Sequence, residues 1–193
     1  MIILLIQLKM FIVVLFLIKM ISKKGQVWVE TVVYTLIAFA MIGLVLSFVR
    51  PQIEENKDRA VIEQSINVLE KIDYKINEIK NVPGNKRTLG ISIERGKLTI
   101  DGKKDRIFFE LVESNHKYSD EGKCTEKDFV YCTFEKGKYY EVNITKDYEN
   151  YNLTFDGKEE IKEIHSSPTK YTLFMSSEKR VSSEMTVIDF SLR

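Results

Sequence analysis

The sequence has few of the residues that metal and catalytic sites usually require. Its 193 residues include two Cys and two His, and the histidines, His116 and His165, are predicted to lie far apart in polar loops. A structural zinc site normally needs four such ligands, so we expect no metal and two solvated histidines. The sequence also lacks a Gly-rich phosphate loop and a nucleophile elbow. We therefore expect no cofactor and no enzymatic activity.

Long apolar runs are almost confined to the part of the chain before Pro51, although the overall composition, 44% hydrophobic and 30% charged, is ordinary for a globular protein. From Val27 to Val49 the one charged residue is Glu30. At about 1.5 Å per helical residue this stretch is about 35 Å long, and a bilayer core is about 30 Å thick. It is predicted to be a transmembrane helix.

The charges on either side of this stretch predict its orientation. Lys19, Lys23 and Lys24 precede it, whereas a mixture of acidic and basic residues follows Arg50. Lys and Arg are in excess on the cytoplasmic flank of membrane helices. We expect a cytoplasmic N-terminus, with the residues after Pro51 outside the cell.

Residues 1–18 form a second apolar run, interrupted by Gln7 and Lys9. A conventional secretory signal would have a basic start and a cleavage site of small residues, and neither is visible. We favour translation from Met20, or less so from Met10, so that the run is never made. A genuine extra membrane helix is the alternative, and N-terminal sequencing of the native precursor decides between them.

The segment before the transmembrane stretch carries a recognisable motif. Lys23, Lys24 and Gly25 are followed by Gln26, and Glu30 stands four residues later at the start of the apolar helix. Over about residues 22–50 this resembles the class III signal peptide of archaeal type IV pilin-like proteins, which have a short basic leader, Gly before the cut, Gln first in the mature chain and Glu fifth.

The resemblance implies cleavage between Gly25 and Gln26 by a prepilin peptidase on the cytoplasmic side, with the helix retained. It further implies transfer by an assembly platform from the membrane into a surface filament, built from copies of this chain or from other pilin-like subunits and commonly used for adhesion. Cleavage would remove four lysines and no acid, which lowers the formal charge from +1 to −3. Such a chain has no basic footprint for nucleic acid.

Trp28 departs from the pilin-like pattern, because a small hydroxyl residue often stands at that position in the family. It leaves the subfamily open, and an archaellin-like subunit is one alternative. Trp is also common at membrane boundaries. An uncleaved single-pass anchor that displays an extracellular domain and never polymerises is therefore the rival interpretation.

Glu30 has a physical role if the chain polymerises. A carboxylate within an apolar span costs several kcal/mol unless it is paired. Cleavage would give Gln26 a free amine, and the amine of one subunit could pair with Glu30 of its neighbour and set their register. The alternative is that Glu30, about one turn inside the membrane face, reaches headgroups or water.

Residues 51–82 are predicted to continue the helix in amphipathic form, with a kink or a fresh start at Pro51. Asn81, Pro83 and Gly84 are expected to end it near Lys80. Apolar residues recur at spacings of three and four, and we expect the following domain to cover them: Val61, Ile62, Ile66, Val68, Leu69, Ile72, Ile76 and Ile79.

Residues 83–193 show the two-residue period of β-strands. Ile91 to Ile93 and Leu98 to Ile100 are predicted to form a hairpin around Arg95-Gly96, and Asp101-Gly102 to turn the chain into the next strand. Together with the helix this predicts an α+β fold with a small antiparallel sheet or sandwich. The later predicted strands are 106–112, 129–134, 139–144, 152–155, 171–175 and 185–192.

Two further features of this domain suit an extracellular location. Cys124 and Cys132 flank a charged loop that a hairpin could close, so we expect a disulfide, with two free thiols as the alternative. Asn143 and Asn152 each begin an Asn-x-Thr sequon. Surface filaments of the family are often glycosylated, which implies sugar on these residues; chance sequons within strands are the alternative.

Overall fold

The computed structural model describes residues 26–120, 122–179 and 185–193. The predicted leader, residues 1–25, lies outside the described residues. The chain divides between Ile53 and Glu54 into two compact units, and each is treated separately below.

One helix, α1, spans Gln26–Ile79 and contains Pro51. The fresh start considered at Pro51 is wrong, because the helix does not end there. Proline removes a single backbone donor, whereas the helix formers on both sides each add a hydrogen bond to an existing helix. At its end, the amides of Lys80 and Val82 donate to the carbonyls of Ile76 and Ile79 at 2.9 and 3.0 Å, so α1 stops close to the predicted position.

The remainder of the second unit is built from β-strands, which confirms the α+β prediction. The described strands are β1 Lys86–Ile91, β2 Lys97–Asp101, β3 Arg106–Ser114, β4 Cys124–Glu126, β5 Val130–Lys136, β6 Tyr139–Asp147, β7 Tyr151–Phe155, β8 Ile161–His165, β9 Tyr171–Lys179 and β10 Thr186–Leu192.

The strands form two sheets. One has four strands in the order β1-β9-β10-β7, and the other has six in the order β4-β5-β6-β3-β2-β8. The described pairs are antiparallel except that β7 runs parallel to β10. Between β7 and β10 the chain first visits the other sheet as β8, and this long connection makes the parallel pair possible.

The predicted hairpin around Arg95-Gly96 is wrong. β1 pairs with β9 in the four-stranded sheet, whereas β2 pairs with β3 and β8 in the six-stranded sheet. The segment between β1 and β2 carries the chain from one sheet to the other, with Ile93 buried on the way. Gly96 has φ of 81°, and a Cβ there would lie 2.5 Å from the Glu110 carbonyl oxygen. Only the second predicted turn, at Asp101-Gly102, joins adjacent paired strands.

Most of the predicted apolar stripe of α1 is buried in the second unit, in one core with side chains from both sheets, and Ile66 and Val68 pack half-buried against that core. Ile62, Ile72 and Ile79 are fully inaccessible to solvent. At about 25 cal/mol per Å² of apolar area removed from water, this stripe is a main contributor to the stability of the unit. It fixes residues 54–79 against the sheets.

Two acids of α1, Asp58, which is buried, and Asp73, which is half-buried, add polar contacts between this part of α1 and the strand region. Asp58, with no exposed side-chain surface, pairs with Arg95 and accepts hydrogen bonds from the amide and side chain of Asn115 at 2.7 and 2.9 Å. Asp73 accepts a hydrogen bond from the Tyr148 hydroxyl at 3.2 Å and pairs with Lys146 at 3.2 Å. Burial, together with the Asp73 charge, raises the pKa of Tyr148.

Candidate functional site: the exposed apolar segment of the helix

Residues Trp28–Ile53 of α1 are here called the apolar segment. The most apolar stretch of the helix is not buried by the rest of the described structure. Trp28 is 84% exposed, and Phe39 and Phe48 are each 71% exposed. By length and composition the helix could cross a membrane. Burying one such side chain is worth about 1.5–3 kcal/mol, so this surface requires lipid or protein to cover it.

Two hydroxyl groups within the apolar segment, those of Thr35 and Ser47, are turned onto the helix backbone. The Thr35 hydroxyl donates to the Val32 carbonyl at 2.8 Å, and the Ser47 hydroxyl donates to the Leu44 carbonyl at 2.7 Å. Polar groups in an apolar medium must be satisfied internally. These contacts leave a surface that suits either lipid tails or another helix.

Gly43 creates a notch midway along the apolar segment. A Cβ added there would have no heavy atom within 4 Å, apart from the helix's own backbone and chain neighbours. The notch opens onto a shallow groove lined by Leu46, Ser47 and Arg50. Small residues at such positions allow two membrane helices to approach closely.

The predicted processing and assembly residues are only partly within the described structure. Lys23, Lys24 and Gly25 lie outside the described residues, and Gln26 is the residue at which α1 begins. Glu30 lies in the first turns of α1 with an exposed side chain. The Tyr34 hydroxyl donates to Glu30 Oε1 at 3.3 Å.

Sequence reasoning missed Tyr34. Residues four apart on a helix are neighbours on one face, so the spacing of Glu30 and Tyr34 was the available signal. Trp28 and Tyr34 stand on either side of Glu30 in sequence, and both residue types favour membrane interfaces. The start of the apolar segment therefore combines an acid, a phenol and an indole within about 9 Å of helix length.

The predicted disulfide between Cys124 and Cys132 is confirmed, and the alternative of two free thiols is wrong. The two residues face each other directly in the β4–β5 pair, with Cα atoms 4.3 Å apart. β4 lies at the edge of the six-stranded sheet, and all three of its residues are exposed. The bond therefore ties a short edge strand to its neighbour.

Both sequon asparagines lie in strands, Asn143 in β6 and Asn152 in β7, and both are half-buried. Their side-chain amides are engaged: Asn143 donates to Glu141 at 3.1 Å, and Asn152 donates to Glu159 at 2.8 Å. Thr154, the hydroxyl residue of the second sequon, is 1% exposed. The folded domain therefore presents neither sequon as an open loop.

The two histidines differ in environment. His165 is exposed, as expected, but it ends strand β8 and does not lie in a loop. The His116 side chain is only 20% exposed and lies 3.4 Å from the Glu55 carboxylate. The expectation of a fully solvated His116 is wrong, because Ser114 binds the backbone of His116 and holds it close to α1. Among the described residues, no three His, Cys, Asp or Glu side chains are grouped to hold a metal ion.

Comparison of the chain with protein-family models, with curated proteins and with solved structures finds no match.

Proposed function

We propose that this protein is a structural subunit of a type IV pilus-like surface filament. It is inserted with its N-terminus in the cytoplasm, trimmed after Gly25 and polymerised through the apolar segment. The observation that carries the proposal is an unburied, membrane-length apolar segment that begins at the third residue of the predicted mature chain, with Glu30 at the fifth mature position.

The physical argument rests on what covers the apolar segment. Before assembly, lipid covers the exposed side chains; in a filament, the same side chains from other copies would replace the lipid. The notch at Gly43 favours close approach of two helices. The β-rich unit, attached through the buried stripe of α1, would then be displayed on the outside of the filament and would supply its adhesive surface.

The rival function is a single-pass anchor that displays the β-rich unit and never polymerises. Trp28 and Tyr34 favour it, because both residue types are enriched where membrane helices meet the interface. The two functions differ in a covalent step: the filament subunit loses its leader, and the anchor retains it. An archaellin-like subunit would be trimmed in the same way, and it would be distinguished by a requirement for a motor.

The test expresses the precursor with an archaeal prepilin peptidase and its assembly platform. We expect wild type to be trimmed and to form filaments. Gly25→Val should remain untrimmed and form none, while still inserting into the membrane. Gly90→Val is the matched control, since Gly90 lies in β1 and a Cβ added there would meet no heavy atom within 4 Å. Wild type that stays full length and forms no filaments would establish the anchor instead.

Glu30→Ala tests the register role separately. The variant should be trimmed like wild type, because its backbone and leader are intact, but its filament yield should fall because the new amine at Gln26 has no partner. Unchanged assembly would remove this role from Glu30 and leave the rest of the proposal standing.

Glycosylation of Asn143 and Asn152 belongs to the same proposal, and we propose that it precedes folding of the β-rich unit. The engaged amides of Asn143 and Asn152 require that sugar is attached before the β-strands pair. Mass spectrometry of native material should find sugar on these residues, whereas refolded, unmodified protein offered to the transferase should remain unmodified. Bare Asn143 and Asn152 in native material would end this part of the proposal.

A further inference from the structure

Glu30 presents a problem before any filament exists. The subunit waits in the membrane with this carboxylate on an exposed helix face, and an unpaired carboxylate in hydrocarbon costs several kcal/mol. The amine that is proposed to pair with it belongs to another subunit, so it is absent at this stage. A donor within the same chain would lower this cost.

Tyr34 supplies that donor. Its hydroxyl lies 3.3 Å from Glu30 Oε1, across one helical turn. A phenol hydroxyl donates a hydrogen bond without adding a second charge to the apolar segment.

We propose that Tyr34 is a positioning residue for Glu30, an inference that rests on the proposed function. Its hydroxyl satisfies one carboxylate oxygen while the subunit waits in the membrane and holds the side chain on one helix face. A carboxylate has about four acceptor positions, so one hydroxyl does not saturate it. The remaining capacity is directed at the α-amine of Gln26 in a second copy of the chain.

The hydrogen bond from Tyr34 to Glu30 is long, so the amine of a second copy could add to it or displace it. At 3.3 Å it is longer than the 2.5–2.7 Å that is typical of a hydroxyl bonded to a carboxylate. An ammonium group forms a charge-assisted pair with the same carboxylate, and such pairs are about twice as strong as neutral ones. The amine of an arriving subunit would therefore pair with the Glu30 carboxylate without first breaking a strong hydrogen bond.

Tyr34→Phe tests the inference, because it removes one oxygen and keeps the ring. Tyr74→Phe is the matched control: Tyr74 lies on the same helix, and both tyrosines are 63% exposed. Two readouts are used. One is filament yield in the presence of the peptidase and platform. The other is the carboxyl ¹³C resonance of Glu30 in the full chain in detergent, identified by its loss in Glu30→Gln.

We expect Tyr34→Phe to be trimmed normally, to shift the Glu30 resonance and to lower filament yield about five- to tenfold, on the scale of an ordinary hydrogen bond. Tyr74→Phe should neither shift the Glu30 resonance nor lower the filament yield. In a Glu30→Gln background, Tyr34→Phe should cause no further loss, because its effect acts through the carboxylate.

An unshifted Glu30 resonance, or an unchanged filament yield from Tyr34→Phe, would overturn the role of Tyr34 while wild-type filaments upheld the proposed function. Trimmed wild type that forms no filaments would overturn both. An equal loss of yield in the Glu30→Gln background would show that Tyr34 acts through packing, which also contradicts the inference.

Discussion

Asp58 makes several polar contacts with the strand region of the second unit through a single side chain. It is fully buried, and its two oxygens receive the Arg95 guanidinium and two donors from Asn115. In the sequence it is one of several mixed charges after Arg50, and nothing in its spacing distinguishes it. Its role depends on strands that arrive from far along the chain, which is why sequence reasoning missed it.

We predict that Asp58→Ala lowers the free energy of unfolding of the second unit by about 3 kcal/mol, because it leaves buried donors without an acceptor. The measurement is urea unfolding of the full chain in mild detergent, followed by near-ultraviolet circular dichroism of the tyrosines. Glu63→Ala is the control: Glu63 pairs with Arg59, and both are more than half exposed, so it should cost less than about 1 kcal/mol. Equal effects of the two substitutions would contradict the account.

The raised pKa of Tyr148 predicts how the free energy of unfolding changes at alkaline pH. Burial and the nearby Asp73 charge raise its pKa in the folded state above that of the unfolded chain, which is about 10. The folded state therefore retains a proton that the unfolded state releases, and stability is full below about pH 10 and falls above it.

For one such proton, the unfolding free energy should fall by up to about 1.4 kcal/mol per pH unit between about pH 10 and 12. Tyr148→Phe should make this decline shallower by that amount. Some slope should remain, since burial also raises the pKa of Tyr118 and Tyr131. Urea titrations at several pH values measure the slopes, and an identical slope in the variant would contradict the assignment.

At the scale of elements, the sequence predicted what depends on local pattern. The stripe of α1, the β2–β3 turn and the central strands follow from periodicity and turn chemistry, and they are present. The β1–β2 hairpin failed because adjacent strands need not pair when another partner fits better: β3, with nine residues, buries Ile107 and Phe109 beside β2. Short exposed β4 has little apolar signal, so it was not predicted.

The edge hairpin formed by β4 and β5 should depend on its disulfide. Closing a loop of this length in the unfolded chain is worth about 2.5 kcal/mol by the chain-entropy estimate. Replacing both Cys124 and Cys132 by Ser should lower the free energy of unfolding by about that amount. It should also speed hydrogen exchange in residues 124–132. Reductant should destabilise wild type and leave the double variant unchanged. Slow exchange in the double variant would mean that strand pairing alone holds β4.

The Gly43 notch yields a prediction about helix packing. Gly43→Leu adds a side chain where α1 has open space, so membrane insertion and trimming should match wild type. Filament yield should fall at least several-fold, because a neighbouring helix can no longer approach closely. Ala38→Leu serves as a control for added bulk, because Ala38 is exposed in the same apolar stretch and lies about 140° around the helix from Gly43. Undiminished assembly of Gly43→Leu would show that the notch does not face another helix.

The whole molecule joins two units with opposite surface chemistry in one chain. The second unit buries its apolar side chains in a core shared by α1 and both sheets, whereas the apolar segment buries almost none. The sequence predicted this division from composition alone, since charged residues are nearly excluded from Val27 to Val49. Whether lipid alone or other copies cover that segment depends on molecules outside the chain, which no pattern within it determines.

The most direct test of the central claim is the N-terminal residue of this protein in filaments sheared from the surface of its native host. The account predicts that the chain is recovered in the filament fraction and that its first residue is Gln26, since trimming after Gly25 precedes assembly. Recovery only from membranes, with Lys23, Lys24 and Gly25 still attached, would contradict the account and identify a membrane anchor.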